Sequence, residues 1–132
     1  MSRYQRVALG PMTRDELAAG LAALGLSGVW ADPDVGLMLT GSLECAGEPV
    51  DVRLAPGTLG AVEDFGFLLA APGPALVCGE YDRARLARDL LAPLAQAVAI
   101  ARTRELAAAA DLELTEEVEQ DGARRLRLQP RR

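Results

Sequence analysis

Five of the chain's 14 positively charged residues, Arg124, Arg125, Arg127, Arg131 and Arg132, fall within its last nine positions. A guanidinium is planar, permanently charged and offers its N–H donors as a fork, so a cluster of them can hold a carboxylate, a phosphate or an acidic partner bidentately. Arg124, Arg125 and Arg127 are the candidate partner-binding residues on this reading. The competing role is structural, with the same arginines paired across a hairpin to Glu113, Glu117 and Glu119. The acidic set Glu113, Glu116, Glu117, Glu119 and Asp121 alternates along one segment, so it divides over two faces and lacks the loop spacing of a calcium site. Asp32 and Asp34, on either side of Pro33, suit a turn better than a catalytic carboxylate pair.

The missing residue types exclude more than the present ones suggest. The chain has no His, no Lys and no Asn. Ser-His and Cys-His nucleophiles, imidazole metal sites, Schiff-base lysines and phosphate-loop lysines all need groups that are absent. Carboxylate chemistry, a low-pKa thiol or no catalysis remains, and no catalytic, cofactor-binding or metal-ligating residue is assigned. The two cysteines, Cys45 and Cys78, are too few and too far apart for a disulfide framework or a metal knuckle. Without His or Lys to activate them they are expected to be ordinary buried thiols. Cys78, close to a helix start near Asp82, is the place to look for an exception. A net charge of −5 argues against general nucleic-acid binding, where phosphate contacts dominate.

These groups need elements to position them. A chain of 132 residues, 50% hydrophobic and 25% charged, fits one domain over residues 1–132, with 127–132 expected as a loose tail. No apolar run approaches the ~20 residues of a bilayer span, and no signal-peptide pattern follows Met1, so a soluble cytoplasmic protein is expected. Tyr4 to Leu9 reads as a strand. Thr13-Arg14-Asp15-Glu16 has capping-box spacing and opens a helix carrying Leu17, Leu21 and Leu24, with Gly25 as its left-handed stop. Two short strands are expected at Val35 to Thr40 and Val50 to Leu54, and better ones at Phe65 to Ala70 and Leu76 to Tyr81. Asp82 is the expected N-cap of a helix through Leu91. Pro93 must break, kink or restart that helix before the Ala-rich stretch Leu94 to Ala110. That stretch faces either the core or a partner.

The end of the chain reads as a β-hairpin, residues 112–119 returning as 124–128. A three-residue turn, Gln120-Asp121-Gly122 with Gly122 left-handed, sets Leu114 opposite Leu128 and Glu117 opposite Arg125; a two-residue turn would mix apolar and charged faces. The expected core is Val7, Leu9, Leu17, Leu21, Leu24, Phe67, Leu69, Leu86, Leu90, Val98, Leu114, Val118, Leu126 and Leu128.

Asp64-Phe65-Gly66-Phe67 has a superficial likeness to the base-stacking strand of RNA-recognition motifs, without its leading basic residue or later aromatic, and sheet packing of the two rings is the expectation. The same four residues, the opening Met1-Ser2-Arg3-Tyr4 and the closing Glu119-Gln120-Asp121-Gly122 to Arg125-Leu126-Arg127-Leu128 resemble, in order and spacing, the family called hypothetical chloroplast reading frame thirty-five. This chain has Arg3 where that family usually has His, and it lacks the family's terminal Trp. The resemblance implies a small α+β protein, an accessory subunit whose partner is an AAA+ ATPase or a small co-encoded protein, and no known catalytic residues.

The resulting expectation is an α+β fold: a largely antiparallel sheet with two main helices on one face, ferredoxin-like with inserted strands. The function expected is a non-enzymatic accessory or interaction subunit, with a homodimer as one assembly open to it and with neither a membrane nor a nucleic-acid partner. The alternative is a small-molecule-binding domain or minor enzyme using a carboxylate or cysteine in a pocket beside the sheet.

Overall fold

A computed structural model of the chain describes residues 3–41, 47–70, 73–118 and 123–131, without the side chains of 116–118. Strand β1 (Tyr4–Ala8) leads to helix α1 (Arg14–Ala23), followed by β2 (Val29–Trp30), β3 (Val52–Leu54), β4 (Phe65–Leu68) and β5 (Ala75–Gly79). The five strands form one sheet in the order β1-β5-β4-β3-β2, and every neighbouring pair is antiparallel. The helical run begins as α2 (Arg83–Leu86), passes through a π turn at Ala87–Leu91 and continues as α3 (Ala92–Ala109). Strands β6 (Leu112–Val118) and β7 (Arg124–Pro130) pair only with each other among the described residues. The α+β class, the antiparallel sheet and the helices on one face agree with expectation.

Side-chain alternation gives the sheet two different faces. On one, Val52, Leu54, Phe65, Phe67, Leu76 and Cys78 pack against Leu17 and Leu21 of α1 and against Leu86, Leu90, Leu94 and Val98 of the second helical run. On the other, Val77 meets Leu39 and Val50, because residues 37–41 and 47–50 lie over the sheet as a strap. Strand β5 is thus covered on both sides. That is why Ala75-Leu76-Val77-Cys78-Gly79 is apolar throughout rather than alternating.

The N-terminal helix follows its sequence signals closely. Thr13 and Glu16 make both reciprocal bonds of a capping box, and Gly25 takes φ +71 beyond the last turn. Pro93 was expected to break, kink or restart the second helix, and it sits in the first turn of α3, where the α-helix resumes after the π turn and a missing amide costs least.

Three expectations need correction. Residues 35–40 form no strand; Leu39 accepts from and donates to the chain at Gly47 and Glu48, making a bridged loop, while the unforeseen β2 supplies the sheet edge. The tail expected from residue 127 is instead strand as far as Pro130. Three of the last four expected core residues, Leu114, Leu126 and Leu128, are not in the core. Leu114 and Leu126 are half-buried, Leu128 is 46% exposed, and the side chain of Val118 lies outside the described residues. The other ten lie in the main cluster or against it.

Candidate functional site

Two constellations of charged residues stand out, one buried beneath the strap and one on the hairpin. The buried one centres on Asp64, which shares a sheet face with Gly66 while Phe65 and Phe67 point into the core. Its carboxylate, 1% exposed, accepts from the Thr40 amide (2.7 Å), the Thr40 hydroxyl (3.0 Å), the Gly41 amide (2.9 Å), Arg53 Nε (2.7 Å) and the Tyr4 hydroxyl. Arg53 also donates to the Thr40 hydroxyl at 3.2 Å. One side chain thereby ties β1, β3, β4 and the strap together.

Two glycines make this junction possible. A Cβ at Gly66 would fall 2.2 Å from the Val52 carbonyl oxygen, so β3 and β4 can approach only with glycine there. Gly41, at φ +52, lies where a Cβ would collide with the Tyr4 hydroxyl at 2.5 Å. Burial pushes the Asp64 carboxyl up, but the bonds from Tyr4, Thr40, Arg53 and Gly41 outweigh it and hold the group at about 2. A carboxylate so deeply ionised and so fully bonded is an anchor rather than a proton acceptor at neutral pH.

A second buried carboxylate acts in the same way. Asp82 was expected to cap the helix behind it, yet it makes no side-chain cap bond. It accepts from the amides of Val62 (2.8 Å) and Glu63 (3.0 Å), pinning the chain just before Asp64. Its backbone already has helical dihedrals at the end of the 3-10 turn Glu80–Asp82, so the helix begins without it as a cap. On the helix side, Arg102 Nε donates to Glu16 at 2.5 Å and its Nη2 to the Pro11 carbonyl at 3.0 Å. Arg102 and the Thr13 amide together outweigh desolvation and lower the Glu16 carboxyl to about 2.

Cys78 lies inside the main core, 0% exposed, and burial followed by the charge of Asp82 raises its thiol to about 11. It is not the exception that proximity to a helix start suggested. Cys45 lies outside the described residues. Phe65 and Phe67 are wholly buried, which excludes them from stacking on bases.

The candidate residues Arg124, Arg125 and Arg127 stand exposed on β7. The register matches the three-residue turn: Leu114 opposes Leu128 and Glu117 opposes Arg125, with Thr115 opposite Arg127. Residues 119–122, Gly122 among them, lie outside the described residues. Alternation divides the three arginines. Arg124 shares the face of Leu126 and Leu128 and closes a cavity of about 330 Å³ against Ala19, Ala23, Ile100 and Ala101 of the helices, whereas Arg125 and Arg127 share the opposite face.

Sequence reading missed the Asp64 junction. The available signal was parity, since an aspartate in step with Gly66 and out of step with two buried phenylalanines sits on a sheet face and needs partners there. Comparison with protein-family models, curated proteins and solved structures finds no match for this chain. Among the described residues, no helix is long and apolar enough to cross a membrane.

Proposed function

We propose that the chain is a non-enzymatic interaction subunit that presents its C-terminal hairpin to a protein partner in the cytoplasm. The observation that carries this reading is the contrast in how charge is used. The buried carboxylates Asp64 and Asp82 are engaged in holding backbone and strap, while the described side chains of the hairpin lie outside both hydrophobic clusters and its second strand exposes arginines. The free, buried thiol of Cys78 suits a reducing compartment. The resemblance to the chloroplast reading frame family points to an AAA+ ATPase, or a small subunit encoded beside one, as the partner.

Affinity purification of the full chain from its own cells tests this. A stoichiometric protein partner, released by salt and lost with Arg125→Ala/Arg127→Ala, is the expected result. A co-purified small molecule with no protein partner would transfer the function to the alternative reading. That alternative has one observation in its favour: a cavity of about 630 Å³ between the strap and the β2 edge, bordered by Arg14, Asp32, Val35, Met38 and Leu68, with Val35 84% exposed.

A further inference from the structure

We propose that the outer edge of β7 takes up an acidic, extended segment of a partner protein as a third strand of the C-terminal sheet, an inference that rests on the interaction reading and assigns the partner's chemistry. Among the described residues β7 pairs with β6 alone. One edge of a seven-residue strand therefore turns alternate amides and carbonyls outward, which is the template for strand addition.

That edge is also cationic within an acidic chain. Arg124, Arg125 and Arg127 lie on β7 with Arg131 just beyond, whereas β6, the strand packed on α3, carries Glu113, Glu116 and Glu117. Charge is thus polarised across the width of the hairpin, with its positive side outermost. Each guanidinium has five donors, so a partner across the hairpin leaves donors for a second carboxylate.

The pattern also says what the added strand should look like. Arg125 and Arg127 share a face, so acidic residues at alternate positions, roughly 7 Å apart, would meet both. Pro130 has no amide to donate and closes the usable edge. A second copy of β7 is a poor occupant, because antiparallel pairing would set arginines of one copy among those of the other. An acidic strand meets the opposite charge along the whole edge.

The test uses the full chain and an alternating Glu-Val octapeptide, followed by backbone NMR and amide hydrogen exchange. Strand addition should protect alternate amides between 124 and 129. Affinity should fall about tenfold in Arg125→Ala/Arg127→Ala, the scale of two exposed ion pairs. N-methylation of one alternating set of peptide amides should abolish binding, and N-methylation of the other set should not. Equal binding of a Lys-Val octapeptide, or indifference to both N-methylated sets, would overturn the proposal. If a captured protein partner is lost with the double substitution while the acidic peptide leaves β7 unprotected, strand addition fails and the interaction reading survives. If no protein partner is captured and the peptide does not bind, both fail.

Discussion

The Asp64 junction and the C-terminal hairpin both set carboxylates against guanidinium, and they differ in where the charge lies. Asp64 is sealed under the strap, with Arg53 Nε at 2.7 Å and two backbone amides on the same carboxylate. On the hairpin the described arginines are exposed, on strands whose described side chains belong to neither hydrophobic cluster. Buried charge must be compensated, and removing one member leaves the others stranded, whereas exposed charge is screened and contributes little to stability. The same chemistry serves folding at the junction and, on the reading proposed above, recognition on the hairpin.

Substitutions at the junction should have the largest effects. Asp64→Ala leaves Arg53, Tyr4 and two strap amides without their acceptor and should cost about 3 to 5 kcal/mol in denaturant unfolding. Phe67→Ala, which empties the centre of the main core, should cost a similar ~3 to 5 kcal/mol. A loss under 1 kcal/mol at both positions would mean that the sheet is not held as described. Gly66→Ala should cost about 2 kcal/mol, because β3 and β4 must separate to admit the methyl.

Acid should act on the same region. The Asp64 carboxyl lies at about 2 against an ordinary 3.8, so its contribution is complete above about pH 4 and disappears as pH falls toward 2. Glu16, also lowered to about 2, adds to the same window. Wild type should lose stability across it, and Asp64→Asn should do so less steeply when urea midpoints are measured from pH 5 to 2. Identical slopes would remove Asp64 from the acid limb. The smallest effect belongs to the hairpin, where Leu128→Ala should change unfolding free energy by less than about 1 kcal/mol, since the side chain is already 46% exposed.

The elements legible in the sequence were those specified by neighbours. The α1 capping box, the Leu17 and Leu21 stripe and the hairpin register all depend on residues within one element or one turn. Asp64 gathers donors from Tyr4, Thr40, Gly41 and Arg53, and neither periodicity nor turn chemistry encodes pairings across such separations. Asp82 misled for a related reason: its position suits a cap, but the chain folding back at Val62 and Glu63 claims its carboxylate. The hairpin shows the opposite failure. Its strands and register followed from alternation, yet alternation could not say whether the leucine face would join the sheet core or lie outside it. The arginines were found by composition, and only the register shows that Arg124 faces the helices while Arg125 and Arg127 do not.

One paired measurement distinguishes a folding frame at Asp64 from a recognition surface on the hairpin. Unfolding free energy and partner affinity are measured on the same preparations of wild type and Arg125→Ala/Arg127→Ala, at low and high salt. Stability should stay within about 1 kcal/mol while affinity falls about tenfold at low salt and less at high salt. Equal affinity at both salt concentrations, or a stability loss as large as that of Asp64→Ala, would contradict the separation.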